Sequence, residues 1–150
     1  MHELGAGFFL HDLGKVKVNP YIINKPGKLT TEEMNQMRRH PTEGYRILSD
    51  THQLTQECKT IVMQHHERCN GKGYPKGISG DQIHIYGKIC SIADVYDALT
   101  SDRPYRQKMT PFDALSLMKD EMIDHFQKDL FEQFVFLFKN NGGTEARVSP

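Results

Sequence analysis

Apolar residues recur at intervals of three and four along most of this chain, and the stretches between them contain proline and glycine. The pattern is clearest where apolar side chains stand at Ile85, Ile89, Ile92, Ala93, Tyr96 and Leu99. Such spacing places them on one face of an α-helix, whereas a half-buried strand alternates apolar and polar residues. No two segments show the alternation and the tight turn of a hairpin. The sequence therefore predicts an all-α domain.

Turn and capping residues set the expected boundaries. The spacing predicts helices over residues 3–13, 30–48, 51–68, 85–99, 110–123 and 130–138, with loops over 15–29 and 69–83. Gly14 is expected to end the first helix. The second begins with a capping box, in which Thr30 and Glu33 each bond the other's backbone. His40-Pro41 should break this second helix, because proline lacks an amide proton and restricts the residue before it.

Composition excludes several classes of protein. The 150 residues carry 19 Lys and Arg against 19 Asp and Glu, so the basic excess of a nucleic-acid-polymer binder is absent. No apolar run approaches the ~20 residues of a membrane-spanning helix, and the N-terminus lacks the features of a signal peptide. Cys58, Cys69 and Cys90 form no CxxC pair, which argues against a disulfide framework or structural zinc. We therefore expect a cytoplasmic protein.

Histidine is the unusual residue, with eight copies, and several stand near predicted helix ends or breaks. Imidazole and carboxylate ligands without thiolate suit iron, manganese or zinc in a catalytic site. Four histidines with an aspartate exceed what one tetrahedral ion binds, so we infer at least two metals. Taken singly, each residue has an ordinary alternative as a solvated or turn side chain, and only the combination favours a metal site. The candidates are His11, Asp12, His40, His65, His66 and Asp94.

Several motifs carry a resemblance to a known family. They are HDLGK (11–15), KPGKLTTEE (25–33), RHP (39–41), HHERCNGKGYP (65–75) and ADVYDALTSDRPYR (93–106). Together they resemble the HD-GYP family, a branch of the HD-domain phosphohydrolases, from about Leu4 to Leu117. Members are bacterial phosphodiesterases that hydrolyse cyclic di-GMP to pGpG or GMP with two or three metal ions, often iron or manganese. The resemblance implies an HD-domain helical bundle with a GYP loop.

The resemblance also assigns roles. A hydroxide bridging two metals would attack the phosphodiester in line, with Asp12 and Lys15 as the catalytic side chains and Lys15 stabilising the developing negative charge. The implied metal ligands are His11, Asp12, His40, His65, His66 and Asp94. The residues expected to contact the substrate are Lys15, Tyr74, Asp97, Arg103 and Arg106, of which the arginines would grip phosphate or guanine edges. Tyr74 has an alternative role as a docking surface for a partner.

Two features depart from the family pattern. Complete members carry helices before the HD motif that add metal ligands, and this chain begins close to His11. We therefore expect an N-terminally incomplete core over residues 1–139, with two metals rather than three, and a flexible tail over 140–150. Asn70 replaces the usual aspartate of the loop, which is expected to weaken a hydrogen bond around the ligands.

The expected loss of packed helices has a consequence for association. It would expose apolar surface on the segment Phe8–Leu10 and on the phenylalanine-rich last helix. We expect a homodimer, or a missing N-terminal or sensor domain, to cover such a surface.

Two further functions stay open beside a cyclic di-GMP phosphodiesterase. A degenerate domain would bind cyclic di-GMP, or a diguanylate cyclase through the GYP loop, without hydrolysis. Another HD phosphohydrolase would act on a different nucleotide. The complete core ligand set favours catalysis, and the GYP loop with the RPYR segment favours cyclic di-GMP.

Overall fold

A computed structural model describes residues 2–51, 54–102 and 107–141 of the chain. Its α-helices are α1 (His2–Leu10), α2 (Pro20–Ile23), α3 (Thr31–Met37), α4 (His40–Ser49), α5 (Gln56–Gln64), α6 (Ile85–Thr100), α7 (Pro111–Glu121) and α8 (Lys128–Asn141). Short 3-10 helices cover Leu13–Lys17, Gly80–Gln82 and Ile123–His125. The described residues contain no strand, which confirms the all-α prediction. From residue 142 onward, the predicted tail lies outside the described residues.

The length and apolar character of the helices decide whether any of them could cross a membrane. None of the described helices combines the length and the apolar character that crossing a bilayer requires.

A side-chain cap begins α3 where the sequence predicts it. The Thr30 hydroxyl accepts a hydrogen bond from the Glu33 amide at 3.3 Å, and the Glu33 carboxylate accepts one from the Thr30 amide at 2.7 Å. This reciprocal pair confirms the capping box that starts α3. The predicted break is also confirmed, because α3 ends at Met37 and a new helix, α4, begins at His40 with proline in its first turn.

Two predicted helix ends were wrong. The first helix stops at Leu10 instead of continuing to Leu13, and the chain then tightens into the 3-10 helix Leu13–Lys17, so Gly14 is not its cap. The helix predicted over 51–68 is shortened to α5, whose start is capped by Thr55. It ends at Gln64 because the chain turns away there, and the carbonyl of His66 accepts its hydrogen bond from Tyr74 in the following loop.

Two hydrophobic cores lie on either side of the α5–α6 contact. The first is formed by α1, α4 and α5, where Leu48, Cys58 and Val62 are buried. The second is formed by α6, α7, α8 and the segment before α8, with buried Ile92, Leu99, Ala114, Met118, Phe126 and Phe131. Because α5 belongs to one core and α6 to the other, their contact places polar residues of both helices between two apolar layers.

Two glycines, Gly14 and Gly44, set the distance between the segment that follows α1 and helix α4. Gly14 is buried against the backbone of α4, and a β-carbon there would overlap the His40 carbonyl oxygen and crowd the Gly44 amide. Gly44 faces it, and a β-carbon at that position would lie 2.8 Å from a methyl group of Val62. Both positions therefore need glycine for close approach of the backbones.

We predict that Gly14→Ala destabilises the fold by about 3 kcal/mol, since the obstructing atoms are backbone atoms that cannot rotate away. Gly5→Ala is the matched control, because Gly5 lies exposed within α1 and nothing stands within 4 Å of its missing β-carbon. That control should be neutral or stabilise by up to about 1 kcal/mol. Urea unfolding measures both, and equal midpoints for the two variants would contradict the tight crossing.

Candidate metal centre

The candidate ligands come from separate elements that the packing brings together. His11 and Asp12 follow the end of α1, and His40 is the first residue of α4. His65 and His66 follow α5, while Asp94 lies within α6. Since α5 contacts α1, α4 and α6, these positions meet at the centre of the molecule.

The cluster is compact. One potential ligand atom from each of Asp12, His40, His65 and His66 lies within 4.8 Å of all the others. Oδ1 of Asp12 is 3.3 Å from Nε2 of His40, and its Oδ2 is 3.4 Å from Nε2 of His11. Asp94 joins the remaining side, with its carboxylate oxygens 3.7 Å from Nε2 of His11 and 3.8 Å from Nδ1 of His66. The structure thus brings together all six predicted ligands.

Backbone carbonyls orient three of the four imidazoles. Nδ1 of His11 donates to the carbonyl of Phe8 at 2.5 Å. In the same way, Nδ1 of His40 donates to Met37 at 2.8 Å, and that of His65 donates to Val62 at 2.9 Å. A carbonyl oxygen only accepts, so each Nδ1 carries a proton, and in a neutral ring Nε2 then presents a lone pair. Such hydrogen bonds are the usual way in which proteins orient metal-binding histidines.

The lone pairs themselves test whether a cation fits. Nε2 of His40 and Nε2 of His65 lie 3.1 Å apart, and both side chains are 1% exposed. With both Nδ1 atoms protonated, neither Nε2 has a proton to share, so the two lone pairs repel each other. A positive charge held by both nitrogens removes this repulsion. The donor set, imidazole nitrogen with carboxylate oxygen, therefore fits a divalent transition metal.

Protonation is a poor substitute for that cation. The pKa of His65 is lowered to about 4. Burial is the main cause, and the neighbouring His40 and His11 rings contribute less. Burial also lowers the pKa of His40 and of His66. These imidazoles are therefore neutral near pH 7, which is the form that binds metal. His11 differs, because interaction with the Asp94 carboxylate raises its pKa.

Lys15 forms an ion pair with Asp12, one of the predicted metal ligands. Its Nζ donates to Oδ2 of Asp12 at 2.6 Å, one turn along the 3-10 helix. Burial alone would raise the pKa of the Asp12 carboxyl, but the hydrogen bond and charge of Lys15 outweigh burial and lower it. Asp12 thus stays ionised, and an ammonium group stands at the rim of the cluster.

Tyr74 packs onto the cluster from the GYP loop. Its ring stacks on the ring of His66, with centroids 4.6 Å apart and planes inclined by 29°. The guanidinium carbon of Arg38 lies 5.4 Å from the centroid of the Tyr74 ring. Burial raises the pKa of the Tyr74 hydroxyl, so it stays protonated and able to donate. The position is consistent with a substrate contact beside the metal ligands.

The remaining predicted substrate contacts are not brought to the cluster by the described residues. Asp97 is exposed, and its carboxylate accepts a hydrogen bond from the Ser101 hydroxyl at 3.1 Å near the end of α6. Arg103 and Arg106 lie outside the described residues.

Sequence reasoning missed two residues near the site. Arg38 gave no signal beyond its place two residues before His40. Glu67 is 2% exposed although it is charged, and its position directly after His65-His66 was a usable signal.

The asparagine that departs from the family pattern has its own partner. The side-chain amide of Asn70 donates to the Asp124 carboxylate at 2.8 Å, and its oxygen accepts from the Lys72 amide at 2.9 Å. An aspartate at this position would have no proton to give and would face a second carboxylate. The partners of the Asn70 side chain, Asp124 and Lys72, are not among the predicted metal ligands.

Comparison with known proteins agrees with this geometry. The sequence model described as HD domain matches residues 2–130. The chain belongs to the HD domain family. The resemblance to its HD-GYP branch is confirmed as well. HD-domain phosphohydrolases are metal-dependent enzymes, in line with the cluster of histidine and aspartate ligands.

Two curated relatives are named for different cyclic dinucleotides. A cyclic di-GMP phosphodiesterase of Pseudomonas aeruginosa is 42% identical over 135 residues, which cover 90% of this chain and 32% of the relative. A 3'3'-cGAMP-specific phosphodiesterase of Vibrio cholerae is 40% identical over 124 residues, covering 82% of this chain and 24% of the relative. The chain thus spans about a quarter to a third of the length of these relatives.

A solved structure shows the same fold. The chain is similar to Bd1817, an HDG"Y"P protein of Bdellovibrio bacteriovorus, with a TM-score of 0.71 and 21% identity. The match covers 89% of this chain and 42% of that chain. It supports the helical architecture described above.

We predict that His65→Ala loses at least one bound metal ion per chain, because it removes a buried nitrogen that lies 3.1 Å from that of His40. Protein purified anaerobically with added iron or manganese would be analysed by inductively coupled plasma mass spectrometry. Circular dichroism verifies that the variant is folded.

His84→Asn is the control for that substitution. His84 caps α6 through its ring nitrogen, which accepts from the Tyr86 amide at 3.2 Å, and asparagine keeps a capping oxygen there. Its metal content should equal that of the unmodified chain. An unchanged metal content in folded His65→Ala would refute the ligand set.

Proposed function

We propose that this chain is the catalytic core of a metal-dependent phosphodiesterase that hydrolyses cyclic di-GMP to pGpG or GMP. The observation that carries the proposal is the meeting of Nε2 atoms from His40 and His65 with the Asp12 carboxylate at the centre of the fold. The relative of Pseudomonas aeruginosa named as a cyclic di-GMP phosphodiesterase aligns over 90% of this chain.

Two divalent ions, iron or manganese, would be held by His11, Asp12, His40, His65, His66 and Asp94. When bound, such ions lower the pKa of a water molecule to near neutrality and polarise phosphoryl oxygens. A third ion is not expected from the ligands that this chain supplies.

The protein's own side chains orient the substrate and balance its charge. Lys15 stands 2.6 Å from Asp12 at the rim, where its ammonium can approach a phosphate oxygen as negative charge develops. Tyr74 offers a protonated hydroxyl and a ring face beside His66 for a phosphate or a guanine base. Arg103, Arg106 and Asp97 remain predicted contacts to the guanine edges and phosphates.

The identity of the nucleotide is tested by comparing two substrates. The metal-loaded chain would be given cyclic di-GMP and 3'3'-cGAMP separately, and the products separated by chromatography. We expect pGpG or GMP from cyclic di-GMP with the higher kcat/KM. The relative of Vibrio cholerae named as 3'3'-cGAMP-specific makes this second nucleotide the other candidate. Two bound metals with neither nucleotide hydrolysed, but with cyclic di-GMP bound, would instead support a degenerate binding module.

We predict that Lys15→Met lowers kcat by about 10²–10³-fold, the loss typical when one group that stabilises the transition state is removed. Metal content should be kept, since Lys15 bonds Asp12 without replacing any ligand. Lys17→Met is the matched control, because Lys17 is exposed in the same 3-10 helix. Equal kcat values for the two variants would contradict the role of Lys15.

Self-association through α8 is a further part of the proposal. Phe136 is 55% exposed and Leu137 is 59% exposed on this helix, and Phe112 of α7 is 78% exposed. We predict a homodimer by light scattering at high concentration, and Phe136→Ser should shift it toward the 17.3 kDa monomer. Phe9→Ser makes the same kind of substitution outside α8, because Phe9 is 87% exposed on α1. The two variants are compared by the same light-scattering measurement. A clean monomer at every concentration would overturn this part.

Partners and compartment remain proposals of the same kind. A diguanylate cyclase partner would contact the exposed side of the GYP loop, where Lys72 and Lys76 lie, because Tyr74 is turned toward His66. A sensor domain would normally regulate such a core. The three cysteines are free thiols, which supports a reducing compartment such as the cytoplasm.

A further inference from the structure

Glu67 is a buried carboxylate outside the metal cluster. It follows His65 and His66 directly and is 2% exposed. One carboxylate oxygen accepts from the Lys76 amide at 2.7 Å, and the other accepts from the Ile78 amide at 3.1 Å. A buried charge is costly unless hydrogen bonds replace its hydration. Here the replacement comes from two backbone donors of the GYP loop.

Gly73 and Tyr74 of the same loop pack against the backbone around Glu67. The Tyr74 amide donates to the His66 carbonyl at 3.1 Å. A β-carbon on Gly73 would overlap backbone atoms of Arg68, Glu67 and His66. The loop therefore crosses its own histidine motif at van der Waals distance before it reaches the Glu67 carboxylate.

These contacts are the loop's inner attachment. Within the described residues, the hydrogen bonds made by residues 73–78 come from the amides of Tyr74, Lys76 and Ile78, and two of these three end on Glu67. The outer part of the loop is held elsewhere, by the Asn70 side chain on Asp124 and by the Cys69 amide on the His125 carbonyl. Neither hydrophobic core includes a residue of the inner part.

We propose that Glu67 is a positioning residue, whose carboxylate holds the inner GYP loop so that Tyr74 stays stacked between His66 and Arg38. The stack has a centroid distance of 4.6 Å to His66 and a distance of 5.4 Å to the Arg38 guanidinium carbon. Glu67 is not part of the ligand cluster, its carboxylate bonds the amides of Lys76 and Ile78, and it acts through Tyr74. The catalytic consequence rests on the proposed function, whereas the attachment of the loop does not.

The test compares Glu67→Gln, Glu67→Asp and Glu57→Gln in the full, metal-loaded chain. Glutamine keeps the length of the side chain, but its NH2 group faces one of the two amide donors. Aspartate keeps both acceptor oxygens on a shorter side chain. Glu57 is an exposed glutamate of α5 and serves as the control for removing one negative charge.

Hydrogen exchange measures the attachment without using activity. We expect the Lys76 and Ile78 amides to exchange about tenfold faster in Glu67→Gln, as the loss of about 1.4 kcal/mol of local protection implies. Glu67→Asp should lie between this variant and the unmodified chain, and amides of α7 should not change. Unchanged exchange at Lys76 and Ile78 in Glu67→Gln would overturn the proposal. Should Glu67→Gln fail to fold, the same comparison is made with Glu67→Asp.

Steady-state kinetics then measure the positioning. We expect KM for cyclic di-GMP to rise about tenfold in Glu67→Gln, with a smaller change in kcat, equal metal content and partial recovery in Glu67→Asp. Faster exchange with unchanged KM would refute positioning while leaving the attachment intact. If the unmodified chain does not hydrolyse cyclic di-GMP, the proposed function fails, and the dissociation constant for cyclic di-GMP replaces KM in the same comparison.

Discussion

The short distance between two buried imidazole nitrogens is the constraint on which the centre of this protein depends. The Nδ1 atoms of His40 and His65 each donate a hydrogen bond to a carbonyl three residues earlier, so in the neutral rings the two Nε2 lone pairs face each other across 3.1 Å. Burial lowers the pKa of both rings, so protonation of one ring near pH 7 does not relieve the repulsion between the nitrogens. A divalent cation held by these two nitrogens would relieve the repulsion, and the nearby carboxylates of Asp12 and Asp94 would balance its charge.

The packing around this centre has a matching logic. A polar cluster cannot itself contribute hydrophobic stabilisation, so it lies where α5 and α6 meet and a separate apolar core supports each side. The contact between Gly14 and Gly44 allows the segment that carries His11 and Asp12 to approach α4. A β-carbon on Gly14 would overlap the carbonyl oxygen of His40, which is itself a member of the cluster. Backbone proximity and ligand geometry are thus coupled in this fold.

The GYP loop shows how irregular backbone is ordered without a core of its own. It has no helix between Gln64 and Gly80, yet a buried carboxylate and a side-chain amide supply the hydrogen-bond partners that regular structure would have given. Asn70 and Glu67 divide this work between the outer and inner parts. The departure of Asn70 from the family pattern is therefore matched by Asp124 opposite it.

The sequence by itself determined the helical class, the capping box at Thr30 and the break before His40, and it singled out the histidines and aspartates that the fold brings into one cluster. These properties follow from local periodicity, from the missing amide proton of proline and from motifs that lie within short stretches of chain. The family assignment rests on the same motifs.

Only the tertiary structure decided where α1 and α5 end, why Gly14 must be glycine, and what Glu67 and Arg38 contact. The last two depend on contacts between residues that are not neighbours in a helix: the backbone of α4 against Gly14, and the GYP loop against Glu67 and Arg38. The sequence pattern predicts a helix through His65 and His66, but α5 ends at Gln64. The carbonyl of His66 instead accepts a hydrogen bond from the Tyr74 amide in the loop. Long-range hydrogen bonds and close packing outweigh local preference there, and a sequence pattern does not register them.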